Sequence, residues 1–328
     1  MQPIDAALSG RESAGFAVRM APTDEGTVIS RRTFLRSAGA LGASALAVVA
    51  YGFGFENFRW PAITQYQVRP RRWPAGLALK IAVVADIHAC KPWMTVERIE
   101  SMVETTNGLG ADLIVLLGDY AASHRYVYDA VHADDWSAAL AGLKAPLGVH
   151  AILGNHDWWD DKAVQATGVG PTYGRRALEK VGIPVYENDA VRLTKDRRPF
   201  WLAGLGDQLA FIPSRRRYPG RRVGVDDLGA TLGKVPQGEA VILLAHEPDI
   251  MVRVPERVAL VLSGHTHGGQ IRLFGWSPVV PSRYGNRFAY GHVREQCDMI
   301  VSGGLGCSIA PFRFGVAPEI VVVTVGDA

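Results

Sequence analysis

Short, mostly apolar runs mark the chain beyond residue 80: Ile81–Ala85, Leu113–Leu117, Val149–Leu153, Val241–Ala245 and Val258–Leu262. Runs of this length predict strands buried on both faces. Between the first two lies Thr95–Gly108, where a capping Thr precedes Val96, Ile99 and Val103 at helical spacing. Asp135–Leu143 and Arg175–Val181 read as further helices, and Val185–Leu193 and Trp201–Ala203 as strands. Met299–Val301 and Ile320–Val325 add the last strands of a second sheet. Strands and helices thus alternate, the pattern of an α/β chain. No internal repeat or low-complexity linker interrupts it.

The N-terminal part reads differently. Ser30-Arg31-Arg32-Thr33-Phe34-Leu35-Arg36 is close to the twin-arginine export consensus, and an uncharged stretch follows from Ser37 to Phe55. That stretch is long enough to span a membrane, yet it is rich in Ala, Gly and Ser rather than Leu and Ile. Val48-Val49-Ala50 offers small or modest residues before a cut. Residues 1–55 are therefore assigned to a leader and 56–328 to one folded domain. Export would place the protein in the periplasm or cell envelope, held at the membrane if the leader is not cleaved. The partner implied is the twin-arginine export machinery.

About 270 residues remain after the leader, near the upper size of a single core. Hydrophobic content of 48% allows a large one, and a formal charge of +3 gives no global case for a nucleic acid polymer. One segment is locally basic: Phe211 to Arg222 holds five arginines among Phe, Ile and Tyr, a solvated loop or a contact for a membrane surface. Cys90, Cys297 and Cys307 form no dense framework and no Cys-x-x-Cys pair, so no structural zinc site is indicated. Cys297 and Cys307 read as free buried thiols, with pairing the alternative in an oxidising compartment. Cys90 lies two residues beyond His88.

The chemistry sits where the apolar runs stop. D-I-H (Asp86, His88), G-D (Asp119), G-N-H-D (Gly154 to Asp157), H-E (His246, Glu247) and G-H-T-H-G-G (His265, His267) supply seven candidate metal ligands. Two ions held about 3.5–4 Å apart need a shared ligand, and a carboxylate with two oxygens serves best. Asp119 is the candidate bridge. Asp86 and His88, two residues apart in an extended segment, can reach one ion together. His265 and His267 share that spacing, but the Gly268-Gly269 turn after them leaves open a split between the ions. Mixed imidazole and carboxylate donors suit Zn, Fe or Mn better than Ca or Mg.

With these blocks the chain resembles the calcineurin-like metallophosphoesterase superfamily, whose pattern is D-x-H, G-D, G-N-H-[DE], H and G-H-x-H. H-E-P-D at His246–Asp249, G-H-T-H-G-G-Q and the tail G-L-G…P-F-R-F…A-P-E-I resemble its exported phosphodiesterase-like branch. The resemblance implies a four-layer α-β-β-α sandwich, two mixed β-sheets flanked by helices. It also implies one metal on Asp86, His88, Asp119 and His267, and a second on Asp119, Asn155, His246 and His265. His156 would be the general acid or transition-state stabiliser. Serine/threonine protein phosphatases carry an extra Asp and Arg in these blocks, where this chain has Ala122 and Leu153, so that activity is not indicated.

Around the blocks, Trp158 and Trp159 either wall a pocket or pack under the loop, and Arg283, Tyr284 and Asn286 are candidate substrate contacts. The reading is an exported dinuclear hydrolase of phosphodiester or pyrophosphate bonds, acting through a hydroxide generated at the metals. Its substrate would be a small-molecule or lipid-linked phosphoester. The alternatives are a phosphomonoesterase and a catalytically silent, metal-bearing binding scaffold.

Overall fold

In the computed structural model, which describes residues 30–122, 124, 126–212 and 223–327, the apolar runs pair into two sheets. The first half of the chain supplies β1 (Ala62–Val68), β2 (Leu79–Val84), β3 (Cys90–Lys91), β4 (Leu113–Leu116), β5 (Asp129–Ala130) and β6 (Val149–Ala151). The second half supplies β7 (Asp189–Lys195), β8 (Arg198–Gly204), β9 (Val241–Leu244), β10 (Leu260–Ser263), β11 (Gly291–Arg294), β12 (Asp298–Val301) and β13 (Glu319–Val325). One sheet runs β1-β13-β2-β4-β6 and the other β11-β12-β10-β9-β8-β7, while β3 and β5 form a small ribbon. Both large sheets are mixed. β2, β4 and β6 are parallel and β13 runs against β2. β8, β9, β10 and β12 are parallel, with antiparallel β7 and β11 at the edges.

Alternation within each strand sets the layers. Ile81 and Val83 of β2 and Leu113 and Val115 of β4 meet Ile242, Leu244, Leu260 and Leu262 in a core between the sheets. The intervening Ala82, Val84, Ile114 and Leu116 face outward onto Ile99, Met102, Trp136, Leu140 and Leu178 of the helices. On the far side, Val241, Leu243 and Val261 pack on Leu232, Ile250, Met251 and Phe288. The result is a four-layer α-β-β-α sandwich. Its outer layer on the second sheet is thin, a short helix Leu228–Gly233 and 3₁₀ turns at Pro248–Arg253 and Gly285–Phe288.

Helix Val96–Gly108 begins at Thr95, whose side chain accepts the Arg98 N–H, as the capping pattern predicts. The strand expected over Val185–Leu193 begins later, at Asp189. Before it, Val185 makes only an isolated parallel bridge to Ala151 and is buried with Ile183 against the helical layer. The helix expected over Asp135–Leu143 spans Ala133–Leu140. β1, with few buried residues, carried no run for the periodicity to detect.

The chain divides into two units, Met1–Ala45 and Leu46–Ala328, and both large sheets lie in the second. Arg31–Ala50 is a 20-residue helix with no buried residue, long and apolar enough to cross a membrane. After it, Tyr51 and Phe53 set their rings against Phe314 and Phe312. Glu56 accepts the Gly315 N–H at 3.1 Å, so Tyr51–Glu56 packs within the second unit. The basic run beyond Ile212, up to Arg222, lies outside the described residues.

Candidate metal centre

The parallel strands of both sheets release their chains at one edge, where α/β sheets present ligand sites. β2 leads into Asp86 and His88, β4 into Asp119, and β6 into Asn155 and His156. From the second sheet, β9 leads into His246 and β10 into His265 and His267. Asp86, His88, Asp119 and His267 bring donor atoms within 4.8 Å of one another, and so do Asp119, His246 and His265. Metal–ligand bonds of about 2.1 Å make that the span of one coordination sphere. Asn155 joins the second set, its Oδ1 2.9 Å from His265 Nδ1. The turn does split the last two histidines between the sets.

Asp119 belongs to both. Its Oδ2 lies 3.5 Å from His88 Nε2 and 3.2 Å from His246 Nε2. Its other oxygen accepts the His156 N–H at 2.8 Å, which holds Oδ2 toward both histidines.

The imidazoles are oriented by their outer nitrogens. His88 Nδ1 donates to Ala121 O, His246 Nδ1 to Leu117 O and His267 Nδ1 to Gly306 O, at 3.1, 2.7 and 3.2 Å. Carbonyls only accept, so the tautomer follows from the partner. His88 Nε2 and His246 Nε2 are thereby turned toward Asp119, the arrangement metal-binding histidines use. His88 Nε2 and His267 Nε2 face each other at 3.1 Å, close enough for one cation to accept both. Asp86 Oδ2 is buried without a hydrogen-bond partner. The residues present therefore fit a pair of metal ions.

Charge tells the same story. Burial pushes Asp86 up to about 7 and His88 down to about 3, since neither charged form is solvated there. Burial would also raise Asp119, yet His246, His156 and His88 hold it well below the usual carboxylate range. Burial would lower His246, but the Asp119, Asp86 and Glu247 carboxylates hold it well above the usual imidazole range. The centre attracts positive charge in spite of its dryness.

The backbone reason for this convergence is not strand alternation. Asp86, His88, Asp119, His265 and His267 have φ of 55°, 47°, 57°, 69° and 51°, the left-handed region that costs a side-chain-bearing residue ~1–2 kcal/mol. The expectation that Asp86 and His88 sit on one side of an extended segment is thus corrected, because β2 ends at Val84 and both residues lie in a coiled loop. Asp86 N–H to Gly118 O and His88 N–H to Asp119 O, 3.1 and 3.0 Å, hold that loop. Gly118, at φ 93°, runs so close to the Leu153–Gly154 backbone that a Cβ would collide with it.

Two residues without an assigned role complete the frame. Asp157 is buried, and its carboxylate accepts the N–H groups of Asp119, Tyr120 and Gly154 at 2.8, 2.9 and 2.9 Å. It ties the loop after β4 to the loop after β6. Arg313 is fully buried, donating to Gly303 O at 2.9 Å and Gly304 O at 3.2 Å, with His267 Nδ1 3.3 Å away. A fixed guanidinium there disfavours a protonated His267, whose ring it lowers along with burial and His88. The G-N-H-D and P-F-R-F motifs contained both residues. Their partners are backbone groups, which no motif displays.

Asp157→Asn keeps the shape but turns an NH₂ toward N–H donors. It should cost about 1–3 kcal/mol, the penalty for a buried donor left without its acceptor. Metal affinity should fall ~10–100-fold, as for other groups that orient ligands. Thermal unfolding and a metal titration measure the two, and wild-type values in both would show that the loops hold without this carboxylate.

His156 stands outside both donor sets. Its ring is edge-on to His88 at 4.8 Å and 5.1 Å from Trp159, with Nε2 3.4 Å from Ser308 Oγ. Beside it opens a cleft of about 840 Å³ lined by Trp159, Glu247, Arg253, His265, Arg283 and Tyr284. The two tryptophans divide the roles: Trp158 is buried against Phe211, and Trp159 walls the cleft. Asn286 is not at the cleft. Its amide closes on Ser277 N and O, both at 2.8 Å, so it braces a loop. The three cysteines are free. Cys90 lies 4.0 Å from His124, outside both donor sets, and burial pushes its thiol up to about 12.

Comparison with known proteins agrees with this geometry. The family model for calcineurin-like phosphoesterases matches residues 79–269. An uncharacterized metallophosphoesterase of Bacillus subtilis (strain 168), YkuE, is 31% identical over 90% of this chain and 97% of its own. An uncharacterized metallophosphoesterase of Aquifex aeolicus (strain VF5) is 29% identical over 80% of this chain and 91% of its own. The phosphodiesterase YaeI of Escherichia coli (strain K12) is 28% identical over 90% of this chain and 99% of its own. A crystal structure of a dimetal phosphatase from Danio rerio overlaps at a TM-score of 0.37 and 12% identity, over 75% of this chain and 98% of that one, too loosely to argue from. The chain belongs to the calcineurin-like phosphoesterases, metal-dependent hydrolases of phosphoric esters.

Proposed function

We propose that the protein is an exported, dinuclear phosphodiesterase that cleaves phosphodiester or pyrophosphate bonds. The observation that carries this reading is the single oxygen of Asp119 shared by two donor sets, with His156 outside both and beside Trp159 of the cleft wall. Asp86, His88, Asp119 and His267 would hold one ion, and Asp119, Asn155, His246 and His265 the other. Zn, Fe or Mn suits these donors. Such a pair lowers the pKa of water and polarises phosphoryl oxygens. Asp119 sets the spacing, the outward hydrogen bonds of the histidines fix the ligand directions, and Asn155 orients the phosphoryl group. His156, beside Ser308 Oγ, would protonate the departing alkoxide. The cleft, with Trp159 on one wall and Arg253 and Arg283 on another, is roomy enough for a second ester substituent.

Bis(p-nitrophenyl) phosphate and p-nitrophenyl phosphate, offered to metal-loaded protein, test the reading. The diester should be turned over faster. Preference for the monoester would favour a phosphomonoesterase, and turnover of neither would favour a metal-bearing scaffold.

Export is part of the same proposal. Ser30–Arg36 carries the twin-arginine pattern and opens a helix with no buried residue, the form a receptor-read address with an apolar tail would take. Replacing Arg31 and Arg32 together by Lys keeps the charge but removes the guanidinium forks. The double variant should accumulate inside the cell, folded and active. Unchanged fractionation would show that the apolar helix acts as an ordinary signal or anchor.

A further inference from the structure

We propose that the substrate is amphiphilic, with a hydrocarbon chain lying in an apolar groove on the His267 side of the metal centre and the polar part in the cleft on the His265 side. This rests on the phosphodiesterase reading and names its substrate class.

The groove holds about 210 Å³ between Ile271, Val279, Pro281, Ile309, Ala310 and Phe312. His267 and Ser308 also line it, which sets it against the metal centre. Ser308 is the residue beside His156 Nε2, so a chain running along Ile309 and Ala310 begins within reach of the ester being cleaved. Pro281 lines both the groove and the large cleft. The cleft adds Glu247, Asp249, Arg253 and Arg283 to its apolar wall, whereas no Asp, Glu, Lys or Arg lines the groove.

Val279 is 61% exposed and Ile309 64% exposed, an arrangement that costs solvation unless something apolar covers them. More apolar surface continues outward. Phe312 carries the Phe53 ring at 5.1 Å, and the Leu273–Trp276 turn, fully exposed at Phe274, is tied to Phe314 through Arg272 N–H. Phe53 lies within Arg31–Phe58, a helical stretch long and apolar enough to cross a membrane.

The test uses monoalkyl phosphates as competitors. Methyl, butyl and octyl phosphate, below their aggregation thresholds, are titrated against bis(p-nitrophenyl) phosphate hydrolysis by the metal-loaded full-length protein. The inhibition constant should fall by roughly two- to fourfold per methylene until the groove is full, from about 0.8 kcal/mol per buried CH₂. Equal constants for methyl and octyl phosphate would overturn the proposal. Ile309→Asp and Val279→Asp, both at exposed positions that do not threaten the fold, should flatten the chain-length dependence. An unaltered slope in both variants would also overturn it. If the diester is not hydrolysed at all, the same competitors are titrated calorimetrically. A chain-length slope then upholds the groove while the lack of turnover counts against the phosphodiesterase reading alone.

Discussion

Asp119→Ala should remove both metals' common ligand and with it nearly all turnover. One oxygen of this side chain lies near both His88 and His246, so its loss cannot weaken one donor set and spare the other. The second oxygen anchors the His156 backbone N–H, and the proton donor would drift as well. Loss of one preorganised electrostatic contact in an active site costs ~10²–10³-fold. Here the ligand, the spacing and the His156 loop go together, and the rate should fall by at least ~10³-fold. Metal analysis of the same preparation should show less than one ion per chain. Full metal content with full activity would remove Asp119 from the bridge.

His156→Gln separates binding from catalysis. Its side chain is outside both donor sets, so both ions should remain while the rate falls ~10²–10⁴-fold, the usual contribution of a positioned acid. The penalty should depend on the leaving group. Nitrophenolate needs little protonation and should lose least, whereas an alkyl ester departs as a strongly basic alkoxide and should lose most. A graded series of aryl and alkyl diesters, with metal stoichiometry measured alongside, reads this directly. A uniform penalty accompanied by lost metal would make His156 a ligand.

Much of this centre could be read before any coordinates, because the chemistry restricts residue types. Candidate metal donors cannot be substituted freely, and these fall just beyond apolar runs that pair as buried strands. The split between His265 and His267 stayed open in sequence, since it depends on φ of 69° and 51° at the two histidines. The pairing of Asp86 with His88 was anticipated for a reason that does not hold. An extended loop would place them side by side, but a left-handed one does so here.

Asp157 and Arg313 were quoted in motifs without a role. One binds backbone N–H groups 37 and 38 residues away, and the other binds carbonyls of a glycine-rich loop. Backbone partners leave no mark in sequence. Tyr51–Phe55 fell within the apolar leader by composition, yet its rings contact Phe312 and Phe314, residues more than 250 positions distant. Asn286 was drawn toward the substrate by its place after the His-x-His turn. Its amide is committed to Ser277 instead.

The most direct test of the account is to strip the protein of metal and titrate Mn²⁺ back, counting bound ions by native mass spectrometry while following bis(p-nitrophenyl) phosphate hydrolysis. Two ions per chain should bind, with activity rising as the pair is completed. The Asp119→Ala chain under the same titration should bind less than one. Saturation of the wild-type protein at a single ion, or undiminished hydrolysis in the metal-free protein, would contradict the dinuclear centre on which the account rests.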